Sequence, residues 1–156
     1  RWPPWLLKNV WKIFCLQAWT GLAYSDLIAL KPENIIEQRG KSYLSGERVK
    51  TGEHYFVPLA DNAKQLLASF EQISQPYYNR VLKEVAFICG IEKKLTSHVA
   101  RKTAGMQWLN MGYSIEAVSR MLGHSDIRTT QRWYARVLNT RVINETLNLE
   151  KKLKAG

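Results

Sequence analysis

The chain has 156 residues, 46% of them apolar and only five of them proline, which is enough to bury one core and excludes a disordered chain. Lys plus Arg number 23 against 13 for Asp plus Glu, and a formal net charge of +10 makes a polyanion the first partner to consider. Anionic membrane surfaces and acidic proteins attract the same field, so charge alone assigns nothing. No apolar run approaches the roughly 18–20 residues of a membrane span, and no membrane partner is expected.

The start, Arg1-Trp2-Pro3-Pro4, has neither an initiating Met nor a signal-peptide pattern, so the chain is expected to be a piece of a longer protein. From Pro4 to about Trp19, apolar residues recur at helical spacing and end at Thr20-Gly21. A short helix is expected over Ser25–Leu30, stopped by Lys31-Pro32. From Asn34 to Leu59 the texture turns β-like. Ile35-Ile36, Tyr43-Leu44, Val49 and Tyr55-Phe56-Val57 are separated by Arg39-Gly40, Ser45-Gly46 and Thr51-Gly52, and predict a three-stranded antiparallel sheet.

After Pro58 the pattern is helical to the end. Helices are expected from Asp61 as cap to Phe70, from Gln75 to Cys89, and from a Thr96 or Ser97 cap to Met111. Others run from Ser114 to the stop at Gly123, and from Ser125 or Asp126 to about Arg136. A last, separate amphipathic segment is expected over Arg141–Leu153. The fold class is one domain, mainly α with a small three-stranded antiparallel sheet (α+β). Cys15 and Cys89 both sit in apolar stretches and are expected as buried free thiols in a reducing compartment, with no disulfide framework and no zinc site.

Three segments share a chemical theme. His98 and Arg101 are three apart on a predicted helix and so share a face. His124, in Leu122-Gly123-His124-Ser125, is held at a turn between helices. Tyr134 follows in Gln131-Arg132-Trp133-Tyr134. Taken singly, each is ordinary: a solvated helix face, a helix C-cap, a half-buried aromatic. Their order and spacing together resemble the tyrosine recombinases of the phage-integrase type. The motifs are His98-x-x-Arg101, Leu122-Gly123-His124, Thr129-Thr130 and Tyr134, with Thr20-Gly21-Leu22-Ala23-Tyr24-Ser25-Asp26 and Val57-Pro58-Leu59 upstream. The phrases Tyr24-Ser25-Asp26, Arg128-Thr129-Thr130-Gln131 and Tyr134-Ala135-Arg136-Val137-Leu138 look most like integrases of mobile elements from Bacteroides-type bacteria.

The resemblance implies a recombinase catalytic domain that cuts and rejoins double-stranded DNA through a 3′-phosphotyrosine, for integration, excision or inversion. The residue types suit that chemistry. A tyrosine oxygen conserves the bond energy in a covalent link, but with a pKa of about 10 it must lose its proton as it attacks. Charge growing on the phosphate oxygens is stabilised by preorganised cations, so no cofactor or metal is expected. Arg101 brings a planar fork, and His98 and His124 bring donors or a proton acceptor. A lysine on the small sheet is the family's general acid; Lys50 is the matching candidate and Lys41 the runner-up. The resemblance further implies a helical DNA-binding domain before Arg1, a homo-tetramer on DNA, accessory DNA-bending proteins, and a bacterial, nucleoid-associated, cytoplasmic protein. Without its other domain the chain is expected to bind DNA weakly, with steep salt dependence.

The pattern breaks in three places. Ala23 stands where the family has an arginine. Arg48 and Lys50, two apart on a predicted strand, face the same side, so Arg48 is the candidate replacement, with Arg39 a weaker one. Thr130 to Tyr134 is one residue longer than usual, which puts Trp133 at the expected tyrosine position. Lys102 stands where a second histidine is frequent. Two rivals remain from other classes: a DNA-binding protein without catalysis, favoured by Ala23, and a type IB topoisomerase with the same tyrosine chemistry. The amphipathic Arg141–Leu153 segment is expected either to pack on its own domain or to dock on a neighbouring protomer.

Overall fold

Helix α1 (Pro4–Thr20) starts on a proline, whose fixed φ and missing N–H suit a first turn. Its buried residues, Leu6, Asn9, Val10, Ile13, Leu16, Gln17 and Thr20, form one stripe at helical spacing. That stripe packs against α3 (Asp61–Leu67), α4 (Gln75–Ile88) and α5 (Ser97–Asn110), so α1 is the axis of the helical layer. The computed structural model describes residues 2–154, apart from the side chains of Arg136 and Val137. The Arg1 start and the arginine and valine of the Tyr134-to-Leu138 phrase therefore lie outside the described residues.

α1 ends at Gly21, which has a φ of +66° and donates its N–H to the Gln17 carbonyl at 2.8 Å. A Cβ there would stand 2.7 Å from Leu122 and 2.9 Å from Trp108, so both backbone sign and space demand glycine. The short α2 (Tyr24–Ile28) follows, and then a 3₁₀ turn over Pro32–Asn34. Strands β1 (Ile35–Gln38), β2 (Lys41–Glu47) and β3 (His54–Pro58) form an antiparallel sheet in that order. Leu44 on the central strand pairs with both Ile35 and Val57. With Tyr55 and Val57 it forms the buried face, and β3 packs on α6 (Ile115–Leu122). The last element, α7 (Ile127–Lys154), lies against α5 and α6.

The expected class, mainly helical with a three-stranded antiparallel sheet, is the observed one. Several details differ. Ser45-Gly46 does not break the sheet but lies within β2. Gly46 faces Tyr55 across the ladder, and a Cβ there would meet the Tyr55 hydroxyl at 2.6 Å. The glycine thus marks a close approach rather than a turn. Val49 is not in a strand, and neither are Arg48 and Lys50. The β2–β3 turn begins after Glu47, with the N–H groups of Thr51 and Gly52 bonded to the Arg48 carbonyl. Asp61 is the first residue of α3 rather than its cap, and that helix stops at Leu67.

The two expected C-terminal helices are one, 28 residues long. Asn139 and Thr140 are weak helix formers, but the span holds no glycine or proline to break it. Finally, Cys89 is exposed and Cys15 only half-buried, because the apolar Phe87-Ile88-Cys89 run turns to solvent at the end of α4. Among the described residues, no helix is long and apolar enough to cross a membrane.

Candidate active site

Five of the six residues singled out in the sequence line one pocket of about 400 Å³: Arg48, Lys50, His98, Arg101 and His124. Five separate stretches of chain supply its walls, one of them Gln75 alone at the start of α4. His98 and Arg101 share a face of α5, whose start is capped by the Thr96 hydroxyl accepting the Val99 N–H at 3.2 Å. His124 follows Gly123, the left-handed end of α6, and donates its backbone N–H to Ser119 at 3.0 Å. Arg48 and Lys50 come from the β2–β3 turn. Ala23 comes from the segment after Gly21.

Arg101 is 5% exposed, and its guanidinium acts as a clamp between two of these stretches. One terminal nitrogen donates to the Gly21 carbonyl at 2.6 Å, and the other to the Leu122 carbonyl. Its pKa is lowered to about 9, by burial first and by the Arg48 charge second, with Asp26 offsetting part of the effect. The same surroundings act on His124, pushed down to about 4 by burial and then by Arg101, Arg48 and His98. Near neutral pH this imidazole is uncharged. Its Nδ1 lies 2.9 Å from the hydroxyl of Thr130, and its ring meets Trp133 edge-on at 5.2 Å.

Two supporting groups carried no assigned role in the sequence. Asp26, 2% exposed on α2, accepts the Val49 N–H at 2.8 Å and lies 3.4 Å from the Arg48 Nε. It anchors the turn that carries Arg48 and Lys50. Gln17, fully buried on α1, donates to the Leu22 carbonyl at 3.1 Å and to the Ser97 hydroxyl at 2.6 Å, and accepts from Tyr78 at 3.0 Å. It ties α1, α4 and the start of α5 together beside His98. The sole sequence signal for Asp26 was its place in the Tyr24-Ser25-Asp26 phrase. Gln17 had none, since a glutamine in an apolar helix shows its partners only after folding.

Tyr134 does not line the pocket. It sits on α7 one turn beyond Thr130, on the same face and about 6 Å further along the axis, half-buried against the core. Trp133 is buried, with its six-membered ring over Gly105 of α5. Lys41 is elsewhere, in a broader apolar groove with Trp19, Tyr43 and Met111. Arg39, at φ +50° in the β1–β2 turn, lines neither.

Comparison with known proteins adds the family. The phage integrase family pattern matches residues 66–141, the stretch from the end of α3 into α7. The tyrosine recombinase XerD of Vibrio cholerae is 31% identical over 137 residues, covering 72% of this chain and 44% of that protein. The chain belongs to the phage integrase family of tyrosine recombinases. The chain thus spans less than half the length of that curated family member. The family fold is equally clear in solved structures. The XerH site-specific recombinase bound to palindromic difH substrate, in a post-cleavage complex, matches 96% of this chain and 48% of its own, with a TM-score of 0.70 at 16% identity. XerA recombinase matches 88% of this chain and 63% of its own, with a TM-score of 0.66 at 19% identity. At these identities the structural likeness speaks for the fold alone.

Proposed function

We propose that the chain is the catalytic domain of a site-specific recombinase that cuts and rejoins double-stranded DNA through a 3′-phosphotyrosine at Tyr134. The observation that carries this reading is the convergence of Arg48, Lys50, His98, Arg101 and His124 on one pocket, at whose rim α7 begins. Such a ring of donors suits a phosphodiester, whose two non-bridging oxygens gain charge as the tyrosine oxygen attacks. In this reading Arg101 and Arg48 hold those oxygens, and His124 and His98 donate to them or move a proton. Lys50, on its anchored turn, protonates the leaving 5′-oxygen.

Ala23 and Arg48 line the same pocket, which supports Arg48 as the cation that replaces the family arginine. The support is spatial proximity; the strand geometry first invoked for it does not exist. Tyr134 reaches the phosphate after a shift of α7 or of the segment before it, because it stands outside the pocket in this conformation. A DNA-binding domain before Arg1 completes the clamp on the duplex. In this reading the protein works in a bacterial cytoplasm on the chromosome or a mobile element, with DNA-bending proteins as further partners; the named relative supports the recombinase part and a bacterial setting. The Bacteroides-type assignment stays a reading of the motif phrases. The exposed apolar residues of α7, from Leu138 through Val142, Ile143, Leu147 and Leu149 to Leu153, support docking of this helix on a neighbour in a tetramer.

The test is covalent trapping by the full-length protein on a nicked duplex carrying its own recombination site, in EDTA. Wild type forms the adduct, Tyr134→Phe forms none, and Arg48→Ala falls by about 10²-fold or more. An adduct that persists in Tyr134→Phe removes this tyrosine as nucleophile, and an unchanged Arg48→Ala removes the replacement argument. Bound DNA with no adduct in wild type favours the non-catalytic DNA-binding reading, which the position of Tyr134 and the presence of Ala23 both suit. Exchange between two defined sites separates a recombinase from a topoisomerase.

A further inference from the structure

The hydroxyl of Thr130 is fully buried, and the atom it meets is the Nδ1 of His124 at 2.9 Å. Threonines inside helices commonly turn their hydroxyl to the carbonyl four residues back, as Thr20, Thr103 and Thr146 do here. Thr20 donates to Leu16 at 2.7 Å, Thr103 to Val99 at 2.9 Å and Thr146 to Val142 at 2.7 Å. Thr130 makes no such bond among the described residues. A hydroxyl carries one proton, and with no carbonyl to receive it, the acceptor at hand is the imidazole nitrogen.

A neutral imidazole protonates one nitrogen and leaves the other as an acceptor, and the partner of one nitrogen decides which. Were Nδ1 to carry the proton, it would donate to the threonine oxygen and the buried threonine proton would go unmatched, at a cost of about 1–3 kcal/mol. That is a preference of about 5- to 150-fold for the other arrangement. Burial and the surrounding cations already hold the ring neutral. The charged or titratable groups lining the same pocket are Tyr24 of α2, Arg101 and His98 of α5, Arg48 and Lys50 of the β2–β3 turn, and Asp126 just before α7. Trp133 meets the ring edge-on, and its own place over Gly105 leaves it little room to move.

We propose that Thr130 is a positioning residue that donates its hydroxyl to the Nδ1 of His124 and so keeps the proton on Nε2. The ring then presents Nε2–H to the pocket as a fixed donor for a phosphate oxygen, and it does not act as the base that takes the tyrosine proton. The consequence at the phosphate rests on the strand-transfer reading; the tautomer itself does not. It also gives the segment between His124 and Tyr134 a task beyond linking them, since the residue that orients the histidine lies one helical turn before the tyrosine.

The test is long-range nitrogen–proton NMR on histidine-labelled protein without DNA, at a pH near 7.5, on wild type, Thr130→Val and Thr130→Ser. The expected wild-type spectrum shows His124 as the Nε2–H tautomer. Thr130→Ser keeps it, and Thr130→Val, which has the same shape but no hydroxyl, mixes in the Nδ1–H form. Adduct formation on the nicked substrate falls about 10- to 100-fold in Thr130→Val, short of the roughly 10²–10³-fold loss from deleting a donor outright. Thr130→Ser restores most of it. A wild-type Nδ1–H tautomer overturns the proposal at once, whether or not the valine variant folds, and so does a Thr130→Val spectrum identical to wild type. An intact tautomer in a protein that never forms the adduct removes the strand-transfer reading and leaves this one standing.

Discussion

Gly105 sits in the middle of α5, where helix propensity alone predicts that alanine would stabilise the protein by about 1 kcal/mol. The packing opposes that gain. A Cβ at this position would stand 2.6 Å and 2.8 Å from two ring carbons of Trp133 and 3.1 Å from a methyl of Leu122. Ordinary carbon contacts are about 3.5–4.0 Å, so the indole must retreat by about 1 Å. It is a rigid ring, 8% exposed, with the His124 imidazole 5.2 Å away against it. Overpacking of this kind costs about 1–3 kcal/mol, so Gly105→Ala is expected to be neutral to about 2 kcal/mol destabilising.

Urea unfolding decides the sign, and a second background isolates the cause. In Trp133→Leu, where the ring is absent, the same Gly105→Ala change should recover its propensity gain of about 1 kcal/mol. A Gly105→Ala variant that is about 1 kcal/mol more stable in the native background, or equally affected in both, would refute the packing of Trp133 on α5.

Two further outcomes follow from the site and from the last helix. The His124 pKa is held at about 4, below the ordinary value of about 6.5, so between these values the unfolded chain binds a proton that the folded one does not. Stability is then fully present above about pH 6.5 and falls as pH drops toward 4; His124→Gln should flatten this part of the urea-midpoint profile, and an unchanged slope would show another group responsible. Truncation after Leu138 should leave the melting of the domain nearly unchanged while weakening assembly on DNA, as read by gel mobility or mass photometry. Assembly as stable as that of the full chain would count against docking of α7 in trans.

Much of the site was legible because its residues are tied to local signals. The glycine that ends α6 puts His124 at a turn, and a three-residue spacing puts His98 and Arg101 on one helix face. The alternation around Tyr55 and Val57 and the helix stops at Gly21 and Gly123 are likewise short-range features. They follow from backbone sterics and side-chain periodicity, which the sequence by itself determines.

What remained belongs to contacts between residues far apart in the chain. Gly46 reads as a turn until Tyr55 is found lying against it, and the buried apolar look of Cys89 dissolves once the end of α4 faces solvent. Arg48 joins the pocket through Asp26 and the turn it anchors, 22 residues away in sequence, and not through strand alternation. The continuity of α7 is a different case: Asn139 and Thr140 leave the backbone free to continue or stop, and the helix runs on through exposed residues that no packing on α5 or α6 dictates. Local sterics set which turns and helices the chain makes, but the direction of the Thr130 hydroxyl and the stand-off of Tyr134 depend on what the fold brings beside them.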